Sequence, residues 1–258
     1  MIIRNLIFAL CSLISLPSWA ETTPPIHVAV VQTEPWGWSD QHGSPQGTII
    51  QNADYLIDHA APGRSVQFTF ASFERVLRMI MAGEADISYN VSDPRLVNGA
   101  INVGSLGEFQ MEVWRLPQPA EFTERSLHQA PVGIALNVLR QHPTLAQSKL
   151  IFLSRPNRLL HMLLAERVEA VVELGSLLGY FAAQAGKSRD DFDILPIEST
   201  TAFIWMSKKS PLADSASHWQ QTASRIDIPQ HFKDVTNKII TQTRDTYYQN
   251  NQNNQNPE

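Results

Sequence analysis

The strongest constraint on this chain is an alternation between two hydrophobic periods. Ile26-His27-Val28-Ala29-Val30-Val31 is a short apolar run after Pro24-Pro25, the pattern of a buried strand. A loop with Gly, Pro and Asp runs from Glu34 to Gly47 and carries Trp36 and Trp38. Ile49, Ile50, Ala53, Leu56, Ile57 and Ala60 then recur at helical spacing until Pro62-Gly63 stops them. Val66 to Phe70 alternates as a strand does. Phe73, Val76, Leu77, Ile80 and Met81 form a helical stripe that Gly83 closes, and Ala85 to Val91 is the next strand. Strand and helix alternating at this pace predict an α/β fold with a mostly parallel sheet.

The order recurs further on. Pro131 to Ala135 and Leu150 to Leu153 read as strands, and a helix follows from about Asn157 to Glu166. Val168 to Val172 is a buried strand, Leu177 to Ala185 a helix, and Asp193 to Ile197 a strand. One internal match links the two series. Met79-Ile80-Met81-Ala82-Gly83-Glu84-Ala85-Asp86-Ile87 aligns without a gap on Met162-Leu163-Leu164-Ala165-Glu166-Arg167-Val168-Glu169-Ala170. Each runs from the end of an amphipathic helix through a tight turn into a strand, which suggests two related lobes.

The ends of the chain have their own signatures. Arg4, the apolar run Leu6 to Leu16 and Ser18-Trp19-Ala20 form an export signal over residues 1–20, with cleavage expected after Ala20. The run is too short to cross a bilayer, and Pro17 ends it. The expected location is the periplasm, with no membrane insertion of the mature chain. Residues 244–258, rich in Asn and Gln toward the end, show no apolar periodicity and are expected to form a disordered tail.

Composition narrows the chemistry. Cys11 is the only cysteine, and it lies in the export signal, so disulfides, thiolate metal sites and a cysteine nucleophile are excluded from the mature protein. Net charge is −5 with no block of Lys or Arg, which argues against nucleic acid and anionic membranes as partners. There is no G-x-G-x-x-G loop, no P-loop and no H-E-x-x-H. Gly175-Ser176-Leu177-Leu178-Gly179 has its serine one place early for a nucleophile elbow. The eight His residues are scattered. No cofactor and no metal are expected.

A series of short motifs, weak singly, gains weight from its order. It runs Thr33-Glu34-Pro35-Trp36 with Gly47 beyond, Ser72-Phe73-Glu74-Arg75, Met81-Ala82-Gly83-Glu84-Ala85-Asp86 and Ser92-Asp93-Pro94-Arg95. It continues with Glu169-Ala170-Val171-Val172-Glu173 and Ser207-Lys208-Lys209-Ser210-Pro211-Leu212. From about Ile26 to about Ile240 the chain resembles the periplasmic solute-binding proteins of family 3, the amino-acid type. The resemblance implies the class II periplasmic-binding fold: two α/β lobes joined by two crossing segments, with a ligand cleft between them that closes like a hinge. The crossings are expected near Glu108-Phe109-Gln110 and Thr200-Thr201-Ala202. Lobe 1 would comprise 24–109 plus 202–243, and lobe 2 would comprise 110–201.

The resemblance also nominates binding residues. Arg95 matches the arginine that pairs with a ligand carboxylate, a task suited to the planar guanidinium fork. Ser88, Asn90 and Ser92 alternate along one strand and its exit, so their side chains share a side. Glu173 ends a buried strand and matches the acid that holds a ligand ammonium; a carboxylate favoured by a helix N-terminus is the plainer reading. Trp36 and Trp38 suit an aromatic wall or core packing equally. The usual Gly-Thr-rich anion loop of lobe 2 is replaced by Ala135-Leu136-Asn137-Val138, with Asn137 its substitute donor. Three functions follow in order: a monomer capturing a small amino acid or related carboxylate for an ABC permease, a sensory domain feeding a membrane receptor or kinase, and a dehydratase-like enzyme. No second catalytic group pairs with Glu173, so a non-enzyme is expected.

Overall fold

The computed structural model describes residues 23–135, 142–153 and 156–255. The export signal expected over residues 1–20 and the loop residue Asn137 lie outside the described residues.

The first half builds β1 (Ile26–Val31), the hairpin β2 (Trp38–Ser39) and β3 (Pro45–Gln46), α1 (Thr48–Ala60), β4 (Val66–Ala71), α2 (Phe73–Ala82), β5 (Ile87–Val91) and α3 (Pro94–Gly99). A long strand, β6 (Ala100–Arg115), leads to β7 (Pro131–Ile134), β8 (Lys149–Phe152), α4 (Asn157–Leu164), β9 (Ala170–Leu174) and α5 (Gly175–Gln184). A second long strand, β10 (Asp193–Ser207), returns to α6 (Ala216–Arg225) and α7 (Ile228–Gln255).

Eight strands form one curled sheet in the order β4-β1-β5-β10-β6-β9-β7-β8. The flanks β4-β1-β5 and β9-β7-β8 are parallel, as the alternating periods require. The centre is not: β10 runs antiparallel to β5 and β6, and β6 antiparallel to β9. The expectation of a mostly parallel sheet is thus corrected to a mixed sheet. Its two central strands hold the halves together, because a 16-residue and a 15-residue strand are long enough to serve both lobes.

The ribbon made by β6 and β10 bends where its register breaks. Gly107 pairs with Ala202 at φ 103, a conformation suited to glycine, and the register shifts between Ala202 and Phe203 and again between Pro196 and Glu198. On one side of these breaks lies the lobe 2 core, which includes Val113, Trp114, Val132, Leu159, Val171 and Leu178. On the other side lobe 1 has a core on each sheet face. One includes Val28, Leu56, Ile57, Ile204 and Trp219; the other includes Val76, Leu77, Ile80 and Trp205.

The internal sequence match is a repeated corner. Gly83 (φ 82) and Glu166 (φ 54) both adopt the left-handed conformation just past a helix end. Glu84 N–H reaches Met79 C=O, and Arg167 N–H reaches Met162 C=O, the six-to-one bond of a Schellman motif. Asp86 N–H then donates to His27 C=O as Glu169 N–H donates to Pro131 C=O, joining each corner to the first strand of its lobe.

The C-terminus departs from expectation. Residues 244–255, expected as disordered tail, continue α7. Ile228, Phe232 and Val235 are buried and fix the start of the helix. Once nucleated, a helix gains a hydrogen bond for each added residue, and Gln tolerates that geometry well. Among the described residues no helix is long and apolar enough to cross a membrane.

Candidate functional site between the lobes

The carboxyl ends of the parallel strands carry the polar residues, as they do in open α/β sheets. In lobe 1, Ser88 and Asn90 are both buried on β5, with Asn90 Nδ2 donating to Ser88 Oγ at 3.0 Å. Asn90 C=O accepts from Trp205 Nε1 at 3.1 Å. Ser88 pairs in register with Trp205, so the two side chains share a face, the one packed by α2. Ser92, two residues on, is exposed.

Arg95 is placed by a short cap. Pro94 opens α3 after Asp93, whose Oδ1 accepts Arg95 N–H at 2.8 Å. The guanidinium then folds onto two carboxylates. Nε and Nη2 reach Asp93 at 2.9 Å each, and Nη1 and Nη2 reach Glu74 at 2.8 and 3.2 Å. These bonds hold the Asp93 and Glu74 carboxyls below their usual range. Half of the arginine side chain is exposed. Its fork is therefore occupied from within.

In lobe 2, Glu173 is fully buried near the end of β9. Its Oε1 accepts Leu174 N–H at 3.0 Å, and its Oε2 has no hydrogen-bond partner. Burial pushes this carboxyl up to about 7. Glu173 pairs across the sheet with Glu112, so both carboxyls share a face. Glu112 is fully engaged: it accepts Trp114 Nε1 at 2.8 Å and the Arg189 fork at 2.8 and 2.9 Å. Glu112 lies so close over Gly175, at the start of α5, that a Cβ there would stand 2.3 Å from its Oε2.

Trp36 is half-buried and packs against the lobe 2 core and a lobe 1 core, edge-on to Phe109. Its Nε1 is buried without a partner. Trp38 sits apart on the β2–β3 hairpin, opposite Gln46. Of the residues nominated from sequence, the structure joins Ser88 to Asn90 and sets Trp36 at the lobe junction. No hydrogen bond or ion pair among the described residues links Glu173 to the lobe 1 set.

Sequence reasoning missed the direct clasp between the lobes. Glu34, in the loop after β1, accepts Tyr180 Oη at 3.0 Å and Gln184 Nε2 at 3.2 Å, both from α5. Burial and the Glu34 charge raise the Tyr180 phenol. Glu34 lies in a quoted motif, but nothing local pairs it with residues some 150 positions away. The structure also reveals a cavity of about 470 Å³ between the β6–β10 ribbon and α7, lined by Gly107, Glu112, Ser176, Arg189, Phe232 and Lys233 among others.

No family model and no curated protein matches the chain. Solved structures match its fold. An ancestral cationic amino-acid solute-binding protein superposes with a TM-score of 0.69 at 13% identity, over 84% of this chain and 95% of its own. Another structure under that ancestor's name is described as an amino-acid-binding precursor of cyclohexadienyl dehydratase. The Streptococcus pneumoniae amino-acid ABC transporter substrate-binding protein AbpA, bound to L-arginine, gives 0.65 at 16% identity, over 85% and 95%. A histidine kinase sensor domain gives 0.64 at 13%, over 84% and 96%. The chain has the two-lobed class II periplasmic-binding fold.

Proposed function

We propose that this protein binds a small polar solute, an amino acid or related carboxylate, between its lobes without transforming it. The lobes are taken as 24–109 plus 202–243 and as 110–201, in a periplasmic monomer released from its export signal. The observation that carries the reading is the architecture: two α/β lobes joined by a bent two-stranded ribbon, with polar residues toward the carboxyl ends of the inner strands β5 and β9. The pattern of polar groups supports it. Ser88 and Asn90 line a strand end, Arg95 stands beyond it, and Trp36 Nε1 is an unused donor where the lobes meet. Glu173 and Asn137 are the lobe 2 candidates for the ammonium and carboxylate ends, with Ser92 and Trp38 at the rim.

Two destinations fit the fold, import through an ABC permease or signalling through a receptor. The occupied Arg95 fork favours sensing: exchanging an internal carboxylate for the ligand's couples binding to a rearrangement of α2 and α3. A thermal-shift screen of amino acids, small carboxylates and polyamines tests the binding reading, because a ligand of the native state raises the melting temperature by mass action. Arg95→Ala is expected to abolish that rise. A ligand that stabilises the variant as much as the parent removes Arg95 from the site, and turnover of a bound ligand overturns the non-catalytic reading.

A further inference from the structure

The C-terminal helix is seated in both lobes. α7 has 28 residues and is about 42 Å long at 1.5 Å per residue. Its first half belongs to lobe 1. Ile228 and Phe232 lie in the core beneath α1, and Thr236 Oγ1 donates to Thr48 Oγ1 at 3.4 Å. His231 stacks on Tyr55 with ring centroids 4.0 Å apart and bonds Asn52 Oδ1 at 3.0 Å.

Its second half lies on lobe 2. Ile239 and Ile240 pack against that core, and Ile240 Cδ1 comes within 3.8 Å of where a Cβ on Gly179 would stand. Both lie against α5, the helix whose Tyr180 reaches Glu34. Tyr247 covers Gly186, leaving no room for a Cβ there, and Tyr248 Oη donates to Gly186 C=O at 3.1 Å.

We infer that α7 is a strap that fixes the angle between the lobes, and that release of its second half opens them. The β6–β10 ribbon is bent and broken in register, so by itself it permits rotation. A helix is stiff, and one seated at both ends forbids that rotation until an end lets go. The second half is the end that lets go, because residues 237–251 are only half-buried or exposed, whereas Ile228, Phe232, Val235 and Thr236 are buried. The strap also bears on α5, the helix that carries Tyr180 and Gln184 of the clasp with Glu34, so its release frees that helix.

The test uses ligand-free protein and so stands apart from the proposed solute binding. Spin labels at Arg78→Cys in lobe 1 and Gln147→Cys in lobe 2, in the chain with Cys11→Ser, report the interlobe distance by pulsed EPR. Hydrogen exchange reports α7. In the parent a single distance distribution is expected. In Ile240→Asp, exchange protection is expected to fall over 239–255 but not over 228–236, and a second, longer distance population to appear. If the introduced charge unfolds lobe 2, Tyr247→Ala, which removes only the ring over Gly186, decides the matter with a smaller change in the same direction. Lost protection with an unchanged distance distribution, in either variant, overturns the proposal.

Discussion

Gly83 and Glu166 occupy the same corner of the two lobes, with the same two backbone bonds around it. Lobe 1 uses glycine where the left-handed conformation asks for it, and lobe 2 holds a glutamate there at a steric cost. The inner strands that follow differ more. β5 ends in polar groups that satisfy one another, Asn90 with Ser88 and Trp205, and Arg95 with Asp93 and Glu74. β9 ends in Glu173, with one carboxylate oxygen bonded to nothing. Backbone geometry was repeated between the lobes and side-chain chemistry was not. The shared corner positions a strand end, and the residue on that strand decides what the end can do.

The comparison breaks most visibly at the two arginine–carboxylate sites. Glu112 is buried and holds both Arg189 and Trp114 Nε1, whereas Arg95 pairs with its carboxylates in solvent. Glu112→Ala leaves an indole N–H and a guanidinium without their acceptor, and should cost about 3 kcal/mol in urea unfolding. Arg95→Ala should leave the ligand-free melting temperature essentially unmoved, since exposed ion pairs contribute little. A loss below about 1 kcal/mol for Glu112→Ala would mean that water replaces the carboxylate, erasing the contrast.

Glu173 sharpens the comparison through pH. Its folded carboxyl sits at about 7, against an ordinary value of 4.5. A carboxyl that holds its proton more tightly when folded contributes its stability fully below pH 4.5, and that contribution is lost as pH rises through 7. The penalty at pH 8 is on the order of 3 kcal/mol. Glu173→Gln keeps an oxygen for Leu174 N–H and never ionises. Its unfolding free energy should match the parent near pH 4.5 and exceed it by about 3 kcal/mol at pH 8. Equal stability at pH 8 would show that the free oxygen finds a partner once charged.

The corners themselves give the smallest effects, of opposite sign. Gly83→Ala places a Cβ at 2.8 Å from Lys209 Cβ in a left-handed residue, and should cost about 1–2 kcal/mol. Glu166→Gly relieves the same conformation at the cost of a freer unfolded chain, and should gain about 0.5 kcal/mol. Chemical denaturation of the two variants side by side checks both. A shared sign would mean that the corners are alike in backbone only by coincidence.

Much of this fold was legible locally. The strands at Ile26 to Val31 and Ala85 to Val91 and the stripe from Phe73 to Met81 follow from periodicity, and the repeated corner from nine aligned residues. Of the two long crossing strands only the start of the second, Asp193 to Ile197, was legible as a strand. Gly104, Gly107 and Pro196 interrupt their pattern, and their pairing joins residues some ninety positions apart. The helix through Gln255 was misread because its second half has no apolar face of its own sequence strength, and is held by Gly186 and α5 instead. At the site, the polar alternation of Ser88 and Asn90 was readable. The capture of Arg95 by Glu74, and of Tyr180 by Glu34, was not.

Sequence alone determined the class of fold and the residue types at the strand ends, because hydrophobic period and turn chemistry act between near neighbours. Tertiary structure decided which charges are spent on one another, which remain unpartnered, and that one helix spans both lobes. Those outcomes depend on burial and on distances between segments far apart in the chain, and no local pattern encodes them.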